Sequence, residues 1–423
     1  MTKKTRKVLF LTFFFIFLSA TPILAFYFQG YRFDFENKKI TQTGGLFLTT
    51  IPKQTEVYLN EKFSNKTDLL FGSVLIENLL PKKYNIRIEK QGYSNWEKTL
   101  EIREKEVTEA KDIILFPKNP EFIPLSEKIK DFWFSQDGKK MVWKEKTGGL
   151  WDIKLYDLSN QSKNHLLKEK DLSKKGADLI DLSFSDDGKE IYLETIIAEE
   201  PRNFVLKING IPSLFEEIKK SSSFEDIIIS QKFNNDTYYL DNLGYLYKTD
   251  ASFSTKEKIT KASFPLNQET KYELYIFPGF IFLKEGNKLY LLNPETEQFE
   301  NFSEQVKSLK ISPNLKELAY FSEKEIRILF LKKTTTQPRR QSEEDIFLIR
   351  FSEKIEDLSW LTPQHLILNI ENKIKIIEID NRDQMNIVDL AEFDNPKIFW
   401  NLTDKKLYVL DEETIWVSKK LIP

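Results

Sequence analysis

Two stretches of this chain align without a gap, and that repetition restricts the possible folds more than any other feature. Asp131–Trp143 reads DFWFSQDGKKMVW and Asp181–Leu193 reads DLSFSDDGKEIYL, 50 residues further on. A third copy is Ser308–Tyr320 (SLKISPNLKELAY). Fainter ones begin at Asp357 (DLSWLTPQHLILNI) and Lys397 (KIFWNLTDKKLYVL), and degenerate units fit at about 225–249 and 272–292. Each copy is an apolar strand, a turn and a second apolar strand, the turn being Ser-x-Asp-Gly in the first two. The Gly accepts φ > 0, and the Ser or Asp side chain bonds the turn backbone. A third strand follows, such as Gly149–Asp157 or Asn287–Asn293, and then a short fourth. Three to four antiparallel strands in about 40–50 residues make a propeller blade. Residues 120–423 divided among seven blades allow about 43 residues each. Six or eight blades, or an irregular array of sandwiches, are the alternatives. The last unit, Lys397–Lys420, supplies three strands only, whereas Glu121–Ser126 (EFIPLS) stands unused ahead of the first hairpin. The pattern therefore predicts that Phe122–Leu125 pairs beside Ile415–Val417 and closes the ring. Pro124 has no N–H, which suits an outermost strand.

The hairpin turns Phe134-Ser135-Gln136-Asp137-Gly138 and Phe184-Ser185-Asp186-Asp187-Gly188 resemble the FSPDG-like turn of WD40-like propellers of the TolB and prolyl-oligopeptidase type. The resemblance is specific in these two copies and implies a β-propeller over residues 119–423.

Val8–Phe28 carries no charge over 21 residues, long enough to span a bilayer. Lys3, Lys4, Arg6 and Lys7 precede it without an acidic residue, so residues 1–7 are expected to form a cytoplasmic basic tail and the rest of the chain to lie outside. A cleaved signal peptide ending at Ile23-Leu24-Ala25 is the rival. The apolar stretch exceeds a signal h-region, and Phe26, Tyr27, Phe28 and Tyr31 make an aromatic exit, which favours an uncleaved transmembrane anchor over 8–28. No other segment approaches a span.

Residues 29–43 are polar, end at Gly44-Gly45 and are expected to form a stalk. From Leu46 six short runs alternate at period two, ending in KDIILFP, and predict a small β-sandwich over 44–116. Ile51-Pro52, Glu56–Asn60, Leu79-Leu80-Pro81, Tyr84–Ile88 and Gly92-Tyr93 give this segment its resemblance to the PEGA domain family. Two departures stand out: Lys82-Lys83 replaces the family's Gly after Pro, and 65–71 lacks its Gly-x-x-Pro. The resemblance implies an envelope-located β-sandwich, often just outside a membrane anchor, and no catalytic residues.

The chemistry on offer is sparse. Cys 0 removes disulfides, thiol nucleophiles and thiolate zinc sites, and only His165 and His365 carry imidazoles. Both histidines are expected on the solvated surface, His165 in a polar run and His365 in a hairpin turn. No Gly-x-Ser-x-Gly elbow is present. Asp137 and Asp187 could be offered to calcium, but one turn brings too few oxygens, so turn chemistry is the better reading. A net charge of −2 argues against nucleic acid. Residues 332–345, polar and Thr-rich, are expected to be a disordered loop; its functional reading is a docking loop whose Lys332, Lys333, Arg339 and Arg340 attract an anionic envelope polymer. No catalytic, cofactor or metal residue is assigned. The expectation is an all-β, membrane-anchored, extracytoplasmic binding or scaffold protein of a prokaryotic cell envelope, contacting a protein or polysaccharide through the propeller and not an enzyme. The alternative is an envelope glycan hydrolase or lyase using channel carboxylates.

Overall fold

The computed structural model describes residues 3–173, 176–208, 214–218, 226–250, 255–267 and 269–422. Among the described residues the long helix Lys3–Phe28 is followed by strands, interrupted by a single helical turn at Glu169–Leu172. Lys3–Phe28 is long and apolar enough to cross a membrane, and none of its side chains is buried by protein.

Residues 31–42, expected as a polar stalk, form a β-hairpin instead. Tyr31–Asp34 pairs with Lys39–Gln42, and Asp34 accepts the backbone N–H groups of Glu36 and Asn37 to close the turn. Short-range turn chemistry organises a stretch whose composition alone suggested a linker.

The small domain is a two-sheet sandwich. One sheet has the order Ser73–Leu79, Gly44–Ile51, Val107–Ile114, the last pair parallel; the other has the order Lys62–Lys66, Glu56–Leu59, Lys83–Glu89, Trp96–Glu101. The run 56–63 splits into two strands because Asn60 and Glu61 both adopt positive φ in a tight turn. Alternate residues of the two sheets, among them Leu46, Leu48, Val57, Ile86, Ile88 and Leu100, fill the space between them.

The described residues between 122 and 418 form seven four-stranded sheets. In chain order, blades one to six span Ile129–Lys168, Asp178–Glu217, Ile227–Lys258, Tyr272–Ser303, Ser308–Arg350 and Ile355–Glu392. The degenerate unit expected from 225 begins at Ile227; Glu225 lies outside the described residues. Blade seven takes three strands from Lys397–Ser418 and its outermost from Phe122–Ser126, with Ile123 opposite Val417 and Pro124 opposite Trp416. Ring closure is therefore as the sequence predicts. A second latch reinforces it: the blade-one turn lies on blade seven, where Asn401 donates to Gly138 O at 2.8 Å and Thr403 to Asp137 O at 2.6 Å. First strands of neighbouring blades touch one another, as in blades three and four, so they are the inner strands around the axis.

In such blades the turns between strands one and two and between three and four lie on one face of the ring. The turns between strands two and three, and the links between blades, lie on the other. The first is called the turn face below and the second the open face.

Candidate functional site

The sandwich ends on one side in two edge strands, Trp96–Glu101 and Val107–Ile114, whose outward backbone groups have no sheet partner. Unpaired edges need cover, and propeller side chains supply it. The Asn386 amide accepts from Glu97 N at 3.0 Å and donates to Glu97 O at 3.1 Å, and Asp383 accepts from Thr99 N at 2.7 Å. Gln337 accepts from Glu109 N and donates to Val107 O, both at 3.1 Å, and Arg382 donates to Glu109 O at 2.9 Å. Two primary amides thus copy the hydrogen bonding of an added strand.

Between these edges Lys98 is fully buried. Its ammonium meets Glu378 Oε1 at 2.7 Å and the carbonyl of Asp380 at 2.5 Å, while Trp96 Nε1 donates to the other Glu378 oxygen at 2.9 Å. Burial raises the Asp380 carboxyl, but Arg382 and Lys98 outweigh it and hold the group below the usual carboxylate range. Apolar contact completes the seam, with Ile114 and Phe116 in one cluster with Ile367, Ile374, Ile376 and Leu390 of blade six. The propeller residues that hydrogen-bond the sandwich all sit at the strand three–four turns of blades five and six, so the sandwich covers that part of the turn face.

The open face carries a groove of about 970 Å³ between blades four, five and six, lined by Gln305, Lys307, Lys324, Glu325, Arg350 and Phe351 among others. Its charges are internally matched: Lys307 bonds Glu356 and the carbonyl of Ile355, Lys324 the carbonyl of Ser352, and Arg350 pairs with Glu325. A second groove of about 680 Å³ lies on the seam, where Lys83, Arg103, Arg339 and Arg382 face Glu101 and Glu106.

The inner strands gather carboxylates at equivalent positions. Asp131, Asp181 and Asp357 follow a β-bulge in blades one, two and six, and each accepts from the next backbone N–H at 2.8 Å. Trp133 Nε1 reaches Asp181 at 3.2 Å, and Lys397 pairs with Asp131 while lying over the Phe132 and Trp133 rings. All three acids hold bulges, and Asp131 and Asp181 also make blade-to-blade contacts.

Asp137 and Asp187 do the work of turn residues. Each accepts from its turn serine, Ser135 at 2.7 Å and Ser185 at 2.8 Å, and from the backbone N–H of Lys139 or Lys189. Hydrogen bonding, led by the serine hydroxyl, lowers both carboxyls, Asp187 to about 2. His165 is exposed, as expected. His365 is not: it is buried where the seam closes, its Nδ1 3.0 Å from Thr362 Oγ1 and its ring edge-on to Phe116 at 5.5 Å. The hairpin position suggested exposure, but the sandwich packs over that turn. The 332–345 loop also departs from expectation. Gln337 docks on the sandwich edge, and Arg340 pairs with Glu344 and bonds Asn381. Lys332, Lys333 and Arg339 remain exposed. The loop does dock, and its partner is the neighbouring domain.

Residues 43–113 match the PEGA domain family. No curated protein sequence matches the chain. Among solved structures it is similar to YCF48 from Cyanidioschyzon merolae, at 12% identity and a TM-score of 0.46, over 70% of this chain and 98% of that one. It is also similar to the Myceliophteria thermophila Cps50 (Swd1) beta-propeller domain, at 11% and 0.42, over 72% and 99% of the two chains. A chain of the Mitotic Checkpoint Complex gives 10% and 0.48, over 72% and 92%. These likenesses concern the fold alone, and the propeller assignment stands on the seven sheets themselves. The class is thus defined: an N-terminal apolar helix, a PEGA domain and a seven-bladed β-propeller in one chain.

Proposed function

We propose that this protein is a single-pass, membrane-anchored binding or scaffold protein of a prokaryotic cell envelope. Residues 8–28 span the membrane, the N-terminus is cytoplasmic, and both β domains stand outside, where the propeller's open face engages a protein or polysaccharide without chemical turnover. The observation that carries this reading is the placement of the PEGA domain. By covering the turn face of blades five and six it leaves the open face, with its 970 Å³ groove, directed to a partner. The charge asymmetry before Val8 supports the orientation, and the commitment of Asp131, Asp181 and Asp357 to backbone N–H groups supports a non-catalytic role.

Photo-crosslinkers placed at Gln305 and Phe351 in native membranes test this, with Leu402, on the turn face, as control. The expected result is capture of one species from both groove positions and not from Leu402. Capture from Leu402 alone would move the partner to the other face. Protease added outside intact cells should digest both β domains; survival in demonstrably accessible cells would reverse the topology.

A further inference from the structure

The hairpin that follows the helix has its polarity inverted. On the face turned to the sandwich stand Arg32, Asp34 and Thr41, and the last two are 4% and 3% exposed. Arg32 donates to Asn78 at 2.8 Å and Thr41 bonds Glu104, while Glu36 at the turn pairs with Lys82 at 2.9 Å. On the other face Phe33 lies directly opposite Ile40, and both point away from protein, 47% and 68% exposed. Phe35 at the turn is 82% exposed and packs edge-on against Phe33 at 4.9 Å. Water would favour the opposite arrangement, with Phe33 and Ile40 inside and the charges outside.

The helix identifies what covers this face. Twenty-one uncharged residues at about 1.5 Å each give about 31 Å, close to the hydrocarbon thickness, so Phe28 reaches its boundary and Tyr31 falls in the headgroup layer. The hairpin is also fastened to the helix end. Gly30, at φ +82°, turns the chain, and its carbonyl accepts from Thr43 N at 2.9 Å. The Arg32 guanidinium lies 3.6 Å from the centre of the Tyr27 ring and donates to the Tyr27 carbonyl at 2.8 Å, and Phe26 packs on Tyr31 at 5.3 Å. A rigid, apolar-faced element is thereby held at the depth where aromatic and aliphatic side chains partition into the interface.

We propose that the Tyr31–Gln42 hairpin is a membrane-interface element, with Phe33, Phe35 and Ile40 seated in the outer-leaflet boundary, Arg32 and Thr41 hydrogen-bonded to the PEGA domain, and Asp34 buried on that same face, closing the hairpin's own turn. It fixes the height and tilt of the sandwich above the bilayer. The proposal rests on the reading of residues 8–28 as a spanning anchor, and the test separates the two.

The chain has no cysteine, so single-cysteine variants of the full-length protein take one nitroxide label each. Phe33→Cys, Ile40→Cys, mid-helix Phe15→Cys and Leu243→Cys on the open face are reconstituted in phosphatidylcholine–phosphatidylglycerol vesicles. Each must retain the parent's thermal midpoint. Collision with a water-soluble nickel chelate and with oxygen gives depth. Labels at 33 and 40 are expected to collide with the chelate roughly fivefold less than the label at 243, and to lie shallower than the label at 15. Collision at 33 and 40 equal to that at 243, with 15 buried in lipid, overturns the proposal and leaves the anchor standing. Water access at 15 as well overturns both.

Discussion

Lowering the pH from 7 to 5 is expected to loosen the seam between the PEGA domain and the propeller, and His365 is the group responsible. Its ring is packed against Phe116, with Trp96, Glu378 and Asp380 lining the same small space and Lys98 just behind Glu378. Burial pushes the imidazole down to about 3, against about 6.5 in an unfolded chain. Below pH 6.5 the unfolded state therefore binds a proton that the folded state refuses, so stability falls as pH falls toward 3. From pH 6.5 to 5 the loss is 1.5 pH units at about 1.36 kcal/mol each, or about 2 kcal/mol. Burial also pushes the Glu317 carboxyl up, which favours the folded state as pH falls; that contribution is common to wild type and a His365 variant, so the difference between the two isolates the imidazole. The assay is urea unfolding of the full-length protein in detergent, followed by tryptophan fluorescence at pH 7 and pH 5. Wild type should lose about 2 kcal/mol, whereas His365→Leu, whatever its starting stability, should lose little. Equal losses in the two proteins would refute the argument, and so would a wild type indifferent to pH over this range.

Three further outcomes follow from the same contacts. Lys98→Met strands Glu378 in the seam and should cost about 3–5 kcal/mol, seen as faster proteolysis of the 117–120 connection; pairing it with Glu378→Gln should restore part of the loss. Gly138→Ala places a Cβ 2.3 Å from Asn401 Oδ1 at φ +66°, so its melting temperature should drop more than that of Gly148→Ala, which has φ +61° and no atom within 4 Å. Deleting residues 119–127 bares the Thr414–Ser418 edge and should produce aggregation by light scattering; a monodisperse product would show that blade seven closes without that strand.

Blades are legible in a sequence because the information is local. An apolar strand, a Ser135-Gln136-Asp137-Gly138 turn and a second strand lie within thirteen residues, and each element specifies its own backbone and its own buried face. Ring closure was legible for a related reason, since a three-stranded last blade and an unused strand at 121–126 leave two edges that must meet. The apolar helix and the PEGA pattern are likewise written in contiguous residues.

Tertiary structure decided what happens where those units touch. Lys98 and Glu378 lie 280 positions apart, and nothing in the local pattern of either marks it for burial. A lysine at an edge strand and a glutamate at a strand end both belong on a surface until a second domain covers them. His365 sits at a hairpin turn, where exposure is the default, and becomes buried only because Phe116 of the other domain packs on it. The polar residues of 332–345 that argued for disorder are the ones that satisfy the edge of the sandwich, because an amide side chain such as Gln337 can replace a strand's backbone groups. At the Tyr31–Gln42 hairpin the sequence carries alternation without saying which face is inward, and the hydrogen bonds of Arg32 and Thr41 to the sandwich settle that the apolar face is the outward one. Periodicity within an element determines that a face exists; the free energy of covering it depends on neighbours distant in the chain, so only the assembled fold assigns its partner.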